Sequence, residues 1–222
     1  MNLVLLPGMD GTGALFTPFI EILPPEVNTQ TIPLIQKVGV SYQEQAKYVA
    51  SEIENDSIVI AESYSGMVAL ELCRQFPEKV KQIVFVASFI SRPSSLSRFG
   101  GHIPSAFLKL AKKPNWFLLR VLFGGKANDI LTGRFIQAMS SVPLDLLKFR
   151  LKQVASLKNP TSKLSIPCTY LLARQDVLVS KNVLHVFENT FSKVVVHKLE
   201  GTHFLLQTNP EGAWDAIQAS AI

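Results

Sequence analysis

The sequence predicts an α/β protein: one domain built on a parallel sheet with helices on both faces, interrupted by a helical insertion. Three observations carry this. Short apolar runs and helix-patterned runs alternate strictly from the start of the chain to residue 87 and again from residue 168. The strand candidates are almost continuously apolar, as strands buried on both faces are, and such alternation requires crossover connections. Between the two alternating parts lies a stretch with a different rhythm and a different charge. At 222 residues, 47% hydrophobic and 18% charged, the chain has the composition of one well-cored domain with an insertion.

In chain order, Leu3 to Leu6 reads as a buried strand stopped by Pro7-Gly8, and Thr12 to Leu23 as a helix ended by Pro24-Pro25. Val27 to Leu34 is a second strand, and Ser41 to Glu54 a helix for which Ser41 is the N-cap. Ser57 to Glu62 is a third strand, Tyr64 to Phe76 a helix stopped at Pro77, and Val80 to Ala87 a fourth strand. Ser88 to Leu164 is helix-rich, with apolar clusters at 107–110 and 116–123 broken by Gly100-Gly101, Pro114 and Gly124-Gly125. Cys168 to Ala173 and Lys193 to Leu199 are the last two strands, with helices at Lys181 to Thr190 and Pro210 to Ala219. The core is thus residues 1–88 and 165–222, and residues 89–164 form a cap inserted into it.

That cap is strongly basic. From residue 89 to 165 there are 13 Lys or Arg against Asp129 and Asp145, a net +11, leaving nine basic and 15 acidic residues, net −6, elsewhere. Such asymmetry fits a docking face for something anionic. Nucleic acid is a poor fit, because the aromatic residues sit in apolar clusters instead of alternating with charges. Cys73 and Cys168 lie in apolar segments and read as buried thiols. The N-terminal apolar stretch is too short for a signal peptide or membrane span, so a soluble cytoplasmic protein is expected.

Open parallel sheets place their sites at the carboxyl ends of strands. Ser63 lies there, where Ser57 to Glu62 passes into a helix with no loop between. A serine on so tight a corner stands above the sheet edge with its amide at a helix start. Ala61 and Ser65 occupy the positions of the two glycines of G-x-S-x-G; read alone, the segment could be an ordinary serine-rich loop. Asp176 follows the Cys168 to Ala173 strand, and His203 follows the last strand. A serine hydroxyl needs a histidine to take its proton, and that histidine needs a carboxylate to orient it. Asp10 is a rival carboxylate; His102, His185 and His197 read as surface or core residues. The turn Gly8-Met9-Asp10-Gly11-Thr12-Gly13 lacks the spacing of a nucleotide-binding loop, and serves better to set the Met9 amide opposite that of Tyr64 as an oxyanion hole. No residue spacing points to a metal or to a cofactor.

With these segments in place the chain resembles the α/β-hydrolases over essentially its whole length. Leu5 to Gly11 resembles their oxyanion turn, Ala61 to Gly66 the nucleophile elbow, Leu172 to Val179 the acid turn and Gly201 to Gln207 the histidine loop. The chain opens at what would be the family's third strand, so the resemblance implies a mostly parallel sheet of about six strands, the first two being missing. The short single domain and helical cap are similar to those of the esterases of biotin synthesis that cleave a pimeloyl acyl-carrier-protein methyl ester. That resemblance implies an acidic carrier protein at the basic cap, with Arg134, Lys148, Arg150 and Lys152 as contacts.

The resulting expectation is a serine carboxylic ester hydrolase. Ser63 is its nucleophile, His203 its base and Asp176 the orienting acid, with the Met9 and Tyr64 amides as oxyanion donors. The competing expectations are a thioesterase or lipase whose cap rests on an anionic membrane, and a non-hydrolytic binding protein on the same fold. The segment containing Trp116 and Phe117, flanked by Lys112, Lys113 and Lys126, fits either a membrane-facing surface or cap core lining an acyl pocket.

Overall fold

The computed structural model describes residues 1–94, 97, 108, 112 and 114–221. The sequence readings for Gly100-Gly101, His102, Arg98, Lys109, Lys113 and most of the 107–110 cluster lie outside the described residues. Six strands form one sheet: β1 (Asn2–Leu6), β2 (Asn28–Thr31), β3 (Ser57–Glu62), β4 (Val80–Val86), β5 (Cys168–Ala173) and β6 (Val194–Leu199). Their order is β2-β1-β3-β4-β5-β6, and every pairing is parallel. After β2 the chain crosses back over β1 to add β3 on its other side. The gap between the ends of β1 and β3 is therefore the switch point, where open sheets of this kind leave a crevice.

The sheet is covered because its strands alternate. Val4, Leu6, Val59, Ala61, Ile83 and Phe85 face one core with α2 (Tyr42–Glu52), α3 (Ser65–Gln75) and α7 (Val183–Thr190). Leu3, Leu5, Ile58, Ile60, Val84 and Val86 face the other, with α1 (Thr17–Glu21), α8 (Leu205–Thr208) and α9 (Pro210–Ser220). Successive residues of a strand point to opposite faces, so a strand buried on both sides must be apolar throughout. Ser41 caps α2 in a reciprocal box with Glu44. Both cysteines are buried free thiols.

Between β4 and β5 lie α4 (Trp116–Phe123), α5 (Asp129–Ser141) and α6 (Leu144–Ser156). They share a third apolar cluster that includes Leu122, Phe123, Phe135, Met139, Leu146 and Leu147. Asn115 and Asn128 cap α4 and α5 through their side chains.

Two segments differ from the sequence expectation. The helix expected over Thr12 to Leu23 is a 3-10 turn at Ala14–Phe16 followed by the five-residue α1. Gly13 is in the left-handed region, and the Thr12 amide and hydroxyl are both bound to Asp10, so the helix cannot begin before residue 14. The strand expected over Val27 to Leu34 ends at Thr31, two residues before Pro33, which has no N–H to donate. No helix of the described residues is long and apolar enough to cross a membrane.

Candidate active site

Ser63 directly follows β3 with φ of 51°, a conformation costly for any residue with a side chain. The surroundings hold it there. Its amide donates to the Val86 carbonyl at 3.1 Å, and its carbonyl accepts from the Gly66 amide at 3.1 Å and the Ser88 hydroxyl at 2.7 Å. The two positions where the elbow motif has glycine are filled without conflict. Ala61 is buried in the sheet, and the Ser65 hydroxyl donates to the Pro7 carbonyl, tying the elbow to the turn after β1. The glycine that the corner cannot replace is Gly66, where a Cβ would lie 2.3 Å from Ser88 Oγ and 2.4 Å from the Phe89 carbonyl oxygen.

The structure brings Ser63, His203 and Asp176 together from three strand ends. His203 Nε2 is 2.8 Å from Ser63 Oγ, and His203 Nδ1 is 2.9 Å from Asp176 Oδ2. A proton on Nδ1 satisfies both contacts: Nδ1 donates to the carboxylate, and Nε2 accepts from the serine hydroxyl. The other Asp176 oxygen accepts from the Leu178 amide at 2.8 Å and the Val179 amide at 2.9 Å, which fixes the carboxylate. Asp10, the rival acid, is bound to Thr12 instead. His185 lies exposed on α7 beside Asn189, and His197 lies within β6.

Met9 and Tyr64 occupy equivalent places in two turns. Gly11 donates to the Gly8 carbonyl, and Gly66 to the Ser63 carbonyl, both across three residues. In each case the residue after the turn's first keeps its amide out of the closing bond. Both amides belong to the turns that flank the switch point.

Above Ser63 is a cavity of about 400 Å³. Apart from Asp10, Glu62, Ser63, Ser97 and His203, its described lining is apolar or glycine, with Leu118, Leu122, Phe135, Leu147, Leu151 and Val154 supplied by the cap helices. No lysine or arginine is among the described residues that line it. Glu62, next to the serine, is a feature that sequence reasoning missed. It is buried, one carboxyl oxygen has no partner, and the other receives only a 3.4 Å contact from Gln207. Desolvation pushes its pKa up to about 7. A carboxylate at the end of a strand that reads as buried was the available signal.

The cap residues separate into three groups. Trp116 and Phe117 are 73% and 61% exposed and do not line the cavity, whereas Leu118 and Leu122 of the same helix do. Lys152 is exposed; Arg134 and Lys148 are half-buried, and Arg134 lies 3.8 Å from Glu21. Arg150, expected to meet a partner at the surface, is 1% exposed and cannot do so. Leu146, Leu147, Arg150 and Val154 share one buried stripe of α6, and this spacing of three to four residues already marked Arg150 as inward-facing. No cluster of His, Cys, Asp and Glu that could hold a metal occurs among the described residues.

No family model matches the sequence, and no curated protein matches it. Solved structures do. A lipase-esterase related protein from Clostridium acetobutylicum superposes with a TM-score of 0.76 at 16% identity, covering 99% of this chain and 94% of the other. The epoxide hydrolase CorEH gives 0.76 at 16% identity over 99% and 90%. ALR0039 of Nostoc sp PCC 7120, assigned to the alpha/beta hydrolases, gives 0.75 at 17% identity over 99% and 90%. With its six-stranded parallel sheet and flanking helices, this chain has the α/β-hydrolase fold.

Proposed function

We propose that the chain is a serine hydrolase that cleaves carboxylic esters of uncharged, apolar acyl chains. The supporting observation is the Ser63, His203, Asp176 relay at the floor of an apolar cavity. Ser63 Oγ attacks the ester carbonyl carbon while its proton passes to His203 Nε2. Asp176 stabilises the imidazolium that forms and holds its ring in place. The carbonyl oxygen, now an anion, is received by the Met9 and Tyr64 amides, each such donor being worth ~3 kcal/mol in the transition state. Collapse expels the alcohol, which takes the proton from His203. Water, activated by the same histidine, then releases the acid from the acyl-enzyme.

The lining favours the acyl class. A carboxylate buried there would meet no cation among the described lining residues, and it would share the cavity with Asp10 and Glu62, which leaves its desolvation uncompensated by them. The test is turnover of p-nitrophenyl esters by Ser63→Ala: loss of nearly all activity is expected, and activity equal to the parent refutes the reading.

In one form of this substrate the acyl chain is carried by an acidic carrier protein, docking at Lys152, Arg134 and Lys148. A carrier-linked ester hydrolysed no faster than a free small ester, without salt dependence, would exclude that form. The exposure of Trp116 and Phe117 favours a second mode of delivery, from an anionic lipid surface. Sedimentation with vesicles containing or lacking anionic lipid separates the two.

A further inference from the structure

Arg150 feels the Asp10 carboxylate only from beyond ion-pair distance. Its guanidinium is buried within α6, and among the described residues no carboxylate lies within ion-pair distance of it. A buried cation without a close partner charge is costly, and an apolar side chain of similar volume would fill the same space at lower cost. Its hydrogen bonds show what it holds. Nη1 donates to the Met9 carbonyl at 2.8 Å and the Asp10 carbonyl at 3.0 Å, and Nη2 to the Ile35 carbonyl at 3.3 Å. The chain accommodates this approach at Gly11, where a Cβ would lie 2.8 Å from both Nη atoms.

Four successive carbonyls of the turn after β1 are held, two of them by Arg150. Pro7 accepts from Ser65, Gly8 from Gly11, and Met9 and Asp10 from Arg150. In a trans peptide the N–H points opposite the C=O: by holding the Asp10 carbonyl Arg150 directs the Gly11 amide, which in turn holds the Gly8 carbonyl and so sets the Met9 amide. The same face of α6 reaches the other half of the hole. The Arg150 guanidinium lies 5.5 Å from the centre of the Tyr64 ring, and the Tyr64 hydroxyl donates to Gln153 Oε1 at 2.6 Å. Gln153 in turn donates to the Val40 carbonyl at 3.1 Å.

We propose that Arg150 is a positioning residue for the oxyanion hole, and that through it the cap helix α6 sets the geometry of the turn that presents the Met9 amide. This rests on the serine hydrolase reading. Lysine at this position keeps the charge but loses the fork that bridges two carbonyls; methionine keeps only the volume.

The test compares Arg150→Lys and Arg150→Met with the parent on p-nitrophenyl acetate and octanoate, with thermal melting to establish folding. A positioning role predicts that kcat falls about 10- to 100-fold in Arg150→Met while KM stays within about twofold, since the hole acts on the transition state. The loss is the same for both acyl lengths, and Arg150→Lys recovers part of it. A role confined to cap packing instead changes KM and penalises octanoate more than acetate. That pattern, or an unchanged kcat in a folded variant, overturns the proposal; so does failure of both variants to fold, which would assign Arg150 to stability alone. If the parent is inactive on both esters or Ser63→Ala is fully active, the hydrolase reading fails first.

Discussion

Replacing Glu62 by glutamine should remove a pH dependence of stability that the parent carries between about pH 4.5 and 7. Glu62 is buried beside Ser63 with one oxygen unpartnered, and its pKa in the folded protein is raised from the ordinary 4.5 to about 7. The folded state therefore binds a proton in this window that the unfolded state has released. Stability must fall as pH rises from the unfolded pKa to the folded one, and level off above it. At 1.36 kcal/mol per unit, the shift amounts to about 3 kcal/mol lost by neutral to alkaline pH. Glutamine does not titrate. Chemical denaturation of both proteins at pH 5 and pH 8 should show the variant gaining about 2 to 3 kcal/mol relative to the parent over that interval, whatever its offset at pH 5. Stability curves that stay parallel would refute the reasoning, because they would mean that Glu62 ionises as readily folded as unfolded. The consequence for chemistry is local: while Glu62 is neutral, it adds no negative charge beside the nucleophile to oppose the oxyanion.

Three further outcomes are expected. Gly66→Ala puts a methyl group against the Phe89 carbonyl, which cannot move without shifting the corner that holds Ser63, so the melting temperature should drop by an amount corresponding to about 1 to 3 kcal/mol and esterase activity should fall with it. Asp176→Asn keeps the shape of the acid but not the charge that stabilises the imidazolium; kcat should fall by about 10⁴-fold with little change in melting temperature, and a fall below tenfold would exclude the assigned role. Leu147→Trp fills part of the cavity from α6, and should reduce kcat/KM for octanoyl esters at least about tenfold more than for acetyl esters, as a chain-length series would show.

The legibility of this molecule in its sequence follows the range of the forces involved. The run from Ser57 to Glu62 could be read as a central strand because a strand covered on both faces has no polar side, and its abrupt passage into a helix fixed Ser63 at the carboxyl edge. Asp176 and His203 were legible for the same reason, since parallel strands all end on one side. What the sequence concealed was decided by one local side-chain turn and by the packing of the cap. The closure of the Asp10 to Thr12 turn shortened the helix after it. The split of 116–123 into an exposed aromatic pair and a buried leucine face depends on how α4 lies over the cavity. The charge count of the cap pointed to its surface, and that reasoning misplaced Arg150, because a charge total carries no direction. Helical spacing along α6 did carry direction, and it put Arg150 among leucines.

The proposed mechanism makes Ser63 a nucleophile activated by His203. Treating the protein with a fluorophosphonate and locating the adduct by peptide mass spectrometry tests this most directly. One covalent phosphonyl adduct is expected, on Ser63, formed by the parent and not by His203→Ala; an unmodified Ser63, or equal labelling of the His203→Ala variant, would rule this mechanism out.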